Sequence, residues 1–320
     1  MPMGAIDEHV AVSCFRIFIW IAAVSGNTLI LFIVFAQRNL RKKGANLLFA
    51  QLSIADFITG TESGVRGLSI VLFNAFNYHD YTKRLCLYLG IPGLLGIHMS
   101  QLTMLAIAVD RLLCIKFPIL YRNLFQETMT FAFIRFSVCF GFSAAMTGVA
   151  FVGIGQRGDD RIAVCSTGRS LAPWYAQHYW VFLACFFTLF IYAIYIAIYV
   201  LFTRQQSSSF GNSAVQKAIF ITMTAVLVSY FFFWCIPNVL YVVFKNIGLS
   251  ETVLGYNSSL IGLLSGVNSA TNVLIYGWKH PELRGHMRRV LKGEKASIVT
   301  ATASRPSMSH LAPATHVTHA

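Results

Sequence analysis

Runs of about twenty apolar residues recur from one end of the chain to the other, and nothing constrains its fold more tightly. A run of that length is what an α-helix needs to cross the roughly 30 Å hydrocarbon core of a bilayer. The candidate spans are 13–36, 47–73, 85–110, 129–152, 175–202, 217–243 and 253–277. Fewer helices would strand apolar surface in water. A β-barrel would need short alternating strands rather than a stretch such as Tyr179 to Phe202. Charged residues make up 12% of the chain, against roughly 25% in a soluble domain. The expected fold is therefore all-α: a seven-transmembrane helix bundle over 13–277, preceded by a short extracellular N-terminus at 1–12. No cleavable signal peptide is apparent, so the first span is read as the signal anchor.

Orientation follows from where the positive charge sits. The formal net charge of +13 is carried by the first, third and fifth connections and by the tail, while the N-terminus and the remaining connections are neutral in sum. Lysine and arginine are retained on the cytoplasmic side, which places the N-terminus outside and the tail inside a plasma-membrane, multi-pass protein. Nucleic-acid binding, the ordinary reading of a basic protein, calls for an exposed basic domain, and none is present.

The tail divides in two. Over 278–292, Leu283, Met287, Val290 and Leu291 share one helical face, and Arg284, Arg288, Arg289 and Lys292 occupy the rest. That is the pattern of a short amphipathic eighth helix lying on anionic membrane lipid. The stretch 293–320 carries Ser297, Thr300, Thr302, Ser304, Ser307 and Ser309 in a sequence of low hydrophobicity. It reads as a disordered cytoplasmic tail open to phosphorylation.

Of the seven cysteines, five lie within or at the ends of spans, where a thiol is usually a small packed apolar group. Cys86 and Cys165 both fall on the extracellular side, in a compartment that permits a disulfide between them. Such a bond would tie the loop 153–173 to the third helix.

Polar residues inside the bilayer are costly, at about 2.5–3.5 kcal/mol for a charge by insertion scales, so each needs a reason. Asn27, Asp56, Ser100, Asn268, Ser269 and Asn272 come from four spans at similar depth. Spacing alone leaves two readings open: one hydrated pocket, or independent helix-to-helix hydrogen bonds. In the second span Glu62 and Arg66 stand at i and i+4, toward the outside. They suit an internal ion pair or, where a cavity opens outward, a ligand site. His98, with Leu94 and Ile97 on the same helix, is a candidate for that cavity; a lone buried histidine is more often simply hydrogen-bonded in a core. No nucleophile elbow, phosphate-cradling loop or spaced metal-ligand set is visible, so no enzymatic activity is expected. The acceptor motif at Asn257 lies in the seventh span, out of reach of glycosylation.

Together the motifs resemble the rhodopsin-like, or class A, G-protein-coupled receptors over about residues 20–292. They run Gly26-Asn27; Leu52-Ser53-Ile54-Ala55-Asp56; Cys86 and Asp110-Arg111-Leu112; Pro118 and Tyr121; Phe231 with Trp234-Cys235-Ile236-Pro237; and Asn268-Ser269 with Asn272 and Tyr276. The stretch Val109 to Tyr121 is most similar to nematode serpentine chemoreceptors of class SX. The resemblance implies a heterotrimeric G protein as partner, engaged through Asp110, Arg111, Pro118, Ile119 and Tyr276. It implies receptor kinase and arrestin at the tail, and an extracellular odorant-like small molecule or peptide as ligand. It further implies a hydrated ion site at Asp56, Ser100, Asn268, Ser269 and Asn272, with sodium as the one candidate ion and no other cofactor.

The sequence departs from that pattern in places. Val273 stands where the family has its seventh-helix proline, and Leu112 where it has a tyrosine. The order Trp234-Cys235 puts Cys235 at the position of the family's ligand-sensing tryptophan, among the expected ligand contacts. Gly93 replaces the aspartate of aminergic receptors and Gly266 the retinal attachment point, which disfavours both ligands. The alternative to a receptor is a seven-helix ligand-gated channel or transporter, because a polar midplane cluster also marks ion pathways.

Overall fold

The computed structural model describes residues 9–124, 129–154, 158–162, 164–176, 180–206 and 214–292. The N-terminal residues 1–8 and the Ser/Thr-bearing tail 293–320 lie outside them. The spanning helices are α1 (Val10–Ala36), α3 (Gly44–Ala75), α5 (Ile91–Lys116), α7 (Met129–Val149) and α9 (Trp180–Gln206). The sixth span joins α10 (Ala214–Tyr230) through a π-helical turn at Phe231–Cys235 to α11 (Ile236–Asn246), and α12 (Glu251–Lys279) is the seventh. Short helices fill the connections: α2 (Arg38–Arg41), α4 (Lys83–Leu89), α6 (Pro118–Leu124) and α8 (Thr167–Ser170), with α13 (Pro281–Leu291) after the bundle.

Six of the spanning helices are apolar enough to cross a membrane by composition alone. The seventh, α3, carries Asp56, Glu62 and Arg66, all turned into the bundle and at most 4% exposed. Lipid therefore meets none of its charges.

Three spans differ from the sequence reading for identifiable reasons. The third breaks before Ile91: Thr82 caps α4 by accepting from the Leu85 N–H, Gly90 ends it, and Pro92 suits the first turn of α5. In the sixth, the Ile236 N–H reaches back to the Phe231 carbonyl, five residues away. Pro237 has no N–H to give, so the α-ladder is already interrupted there and the wider turn fits. The seventh runs unbroken through Val273, whose side chain packs against Gly26. Beyond it, His280 breaks the helix and caps α13, which starts at Pro281 rather than at 278.

The main apolar core, with Ile30, Leu48, Phe49, Leu52, Ile107, Leu227 and Tyr276, packs toward the end of the bundle that bears α2, α6 and α13. The outer end is held by different means, and those means build the site.

Candidate functional site

A cavity of about 650 Å³ opens among α3, α5, the sixth span and α12, beneath the segment that contains α8. Its apolar walls include Leu94, Ile97, Leu171 and Ile261, and its polar groups include Asn238, Tyr241, Ser258 and Ser259. Glu62 and Arg66 are its charged residues.

The disulfide Cys86–Cys165 closes the roof, with Cα atoms 5.3 Å apart. Arg66 fastens the same roof from below. Its Nε donates to Glu62 Oε1 at 2.7 Å, Nη1 to the Cys165 carbonyl at 2.9 Å, and Nη2 to the Cys86 carbonyl at 3.3 Å and to Thr167 Oγ1. Both carbonyls belong to the bonded cysteines, so the guanidinium and the disulfide secure one junction. The loop also pairs with the start of α4: Lys83 N–H donates to the Asp160 carbonyl at 3.0 Å and Ile162 N–H to Tyr81 at 3.0 Å.

Of the expected ligand contacts, Glu62, Arg66, Leu94 and Ile97 line this cavity. His98 and Cys235 do not. His98 is one position round the helix from Ile97, and its Nε2 meets the Tyr175 hydroxyl at 3.3 Å instead. Cys235 is displaced by helix register: Trp234, Asn238 and Tyr241 fall at i, i+4 and i+7 on the face toward the cavity, one position away from it. Trp234 thus takes the place expected of Cys235. Asn238, Tyr241, Ser258, Ser259 and Gly262 were not among the expected contacts; Asn238 and Tyr241 were legible only through their helical spacing from Trp234.

Below lies a smaller cavity of about 280 Å³ that Asp56, Ser100, Asn268 and Ser269 share with Thr59 and Ser265. Ile97 and Trp234 line both cavities and so form the partition between them. Asn272 donates to Asp56 Oδ2 at 2.9 Å, Ser229 Oγ donates to Asn268 Oδ1 at 2.8 Å, and Asn27 donates to the Ser269 carbonyl at 3.3 Å. These three bonds join four spans around the cavity that holds the Asp56 carboxylate. Carboxylate, hydroxyl and amide oxygens are the donor types a hard cation takes.

At the end of the bundle away from the disulfide Arg111 pairs with its neighbour Asp110, Nε to Oδ2 at 2.8 Å, and the Tyr121 hydroxyl donates to Asp110 Oδ1 at 2.8 Å. Burial, with the Asp110 carboxylate beside it, raises the pKa of Tyr121 and keeps it a donor. Pro118 and Ile119 are exposed, Ile119 by 76%, as a docking surface requires. Tyr276 is fully buried and packs edge-on against Phe49. A cavity of about 400 Å³ beside Arg111 is lined by Tyr195, Phe202, Phe220 and Met223. The side chain of Lys217, a basic residue at the foot of α10, lies outside the described residues.

Comparison with known proteins agrees with this arrangement. The family model described as serpentine type 7TM GPCR chemoreceptor Srsx matches residues 20–291. The chain is 25% identical to adenosine receptor A3 of Ovis aries over 87% of its own length and 88% of that protein. It is 22% identical to human adenosine receptor A2a, over 91% of its length and 74% of the relative. With lysophosphatidic acid receptor 3 of Rattus norvegicus it shares 24% identity, over 88% and 78%.

Proposed function

Because the chain belongs to the Srsx family of serpentine seven-transmembrane G-protein-coupled chemoreceptors, we propose that it binds a small molecule in the cavity between Glu62 and Trp234 and signals through Arg111. It is a multi-pass membrane receptor; its family and relatives are receptors, and the channel or transporter reading is not favoured. The observation that carries the ligand reading is the closed roof. A small, mainly apolar cavity under a loop pinned by both a disulfide and Arg66 suits a compact molecule better than a peptide.

The plasma membrane is the proposed location, with the N-terminus and the disulfide-bonded loop outside and the basic connections inside. The Arg-rich face of α13 then lies on anionic lipid. The proposed partner is a heterotrimeric G protein that docks around Arg111, Pro118 and Ile119, with Asp110 holding the arginine at rest and Tyr276 buried nearby. Receptor kinase and arrestin would act on the tail from 293 onward.

Asp56, Ser100, Asn268 and Ser269 are the residues proposed to hold a sodium ion, with Asn272 orienting the carboxylate. The ion would supply a positive charge that offsets burial of Asp56 and favours the inactive packing. Ligand pressing on Ile97 and Trp234 from above and the Asp56 network below bear on one shared partition, which gives the two sites a physical route of coupling.

The test is expression with a panel of G proteins and a screen of small molecules, read as nucleotide exchange. Activation that Asn238→Ala and Tyr241→Ala weaken is expected. An activator insensitive to both variants, or current without any G protein, contradicts the proposal.

A further inference from the structure

The ion pair in the ligand cavity is chemically lopsided. Arg66 directs its N–H groups at Glu62 Oε1, the Cys165 and Cys86 carbonyls and Thr167 Oγ1, so its charge is taken up by the roof. Glu62 gives only Oε1 to that pair. Among the described residues nothing donates to Oε2, and the carboxylate borders the cavity.

Where Glu62 points is decided by two glycines. A methyl group on Gly93 would lie 2.7 Å from Glu62 Cδ and 2.8 Å from Oε2, and one on Gly262 would lie 3.4 Å from Oε1. The carboxylate therefore occupies the space that any side chain at position 93 would fill. The absence of an acid on the third helix at Gly93 is what admits one from the second helix.

We propose that Glu62 Oε2 is the recognition group for a protonated amine, and that Arg66 is a positioning residue that holds the roof and the carboxylate rather than a ligand contact. An ammonium group donates a charge-assisted hydrogen bond to the open oxygen. Trp234 and Tyr241 line the same cavity and supply the aromatic rings a cation favours, and Leu94, Ile97 and Ile261 accept an apolar body. An anionic ligand has no equivalent partner, because the one cation in the lining is engaged with protein acceptors. This inference rests on the cavity being the ligand site.

The test is a thermal-shift titration of purified full-length receptor with three probes of one shape: 2-phenylethylamine, its neutral N-acetyl derivative and 3-phenylpropionate. The amine alone is expected to stabilise, with apparent affinity lowered at least about tenfold in Glu62→Gln. Because Glu62→Gln could disturb folding, Gly93→Ala is the second variant. It keeps every charge and the Arg66 bonds to the Cys86 and Cys165 carbonyls, and it should lower amine affinity by displacing the carboxylate in a receptor that still folds. Stabilisation by the N-acetyl compound or the acid that depends on Tyr241 but not on Glu62 overturns the amine proposal and leaves the cavity reading standing. Amine binding unchanged in both Glu62→Gln and Gly93→Ala overturns it as well, and binding unchanged in Tyr241→Ala too overturns the cavity reading with it.

Discussion

The two ends of the bundle are held by opposite means. At the disulfide-bearing end a covalent bond, a buried ion pair and arginine bonds to the carbonyls of both bonded cysteines converge on one junction, all in the low-dielectric interior. At the other end Arg111 is held by Asp110, which also accepts from Tyr121, and Pro118 and Ile119 in the following helix are exposed. Buried bonds resist opening more strongly than a partly solvated pair next to open surface. The difference fits the proposed roles: a pinned end that would fix a ligand's geometry, and an end whose arginine is held by a partly solvated pair.

That contrast breaks first if the outer end proves soft. Arg66→Ala leaves Glu62 buried without its partner and frees both carbonyls, which should cost about 3–5 kcal/mol and remove most folded receptor from the membrane. Surface expression and melting temperature check this; near-normal values would mean that the outer junction is not rigid. Exchanging the pair as Glu62→Arg with Arg66→Glu should fail to rescue, because a carboxylate at position 66 would face the Cys86 and Cys165 carbonyls.

Loss of the disulfide in Cys86→Ser should cost about 2–4 kcal/mol, by the loop-closure argument for a long loop. Melting under reducing and oxidising conditions reads it directly. A receptor equally stable in both would assign the roof to Arg66 alone.

Smaller effects belong to the middle and the inner end. Asp56→Asn should remove any dependence of agonist affinity on sodium concentration while leaving the bundle folded. Persistent sodium sensitivity in that variant would move the ion elsewhere. Many receptors of the resembled family restrain this arginine with an acid at the foot of the sixth helix, where this chain has Lys217; Lys217→Glu should therefore lower ligand-independent signalling by pairing with Arg111, a bond worth under about 1 kcal/mol. Unchanged basal activity at matched surface expression would mean that position 217 only marks the membrane boundary.

Much of this was legible in the sequence, and the reason is local. Apolar length marks a span, so all seven were found to within a few residues except where Gly90 and Pro92 divide the third. Asp56, Ser100, Asn268 and Ser269, singled out because polar groups at one depth in several spans are rare, line one cavity in the fold. The π turn was not legible, because one backbone bond from Ile236 to Phe231 sets it, and with it the exchange of Cys235 for Trp234 at the cavity. Nor was the meeting of Glu62 with Gly93, since it depends on how closely two helices approach. Spacing could show that Glu62 and Arg66 face each other; only the packed loop shows that Arg66 belongs to the roof.

The central claim, that ligand binding belongs to the rigid outer end and coupling to the inner, is tested most directly with Arg111→Ala. A single preparation in nanodiscs would be measured twice: for thermal stabilisation by a screen-identified activator, and for nucleotide exchange on the coupled G protein. The account predicts binding within about threefold of wild type, a change worth under about 0.7 kcal/mol, with exchange abolished. Normal exchange in Arg111→Ala, or loss of binding together with exchange in a receptor that still melts normally, would contradict it.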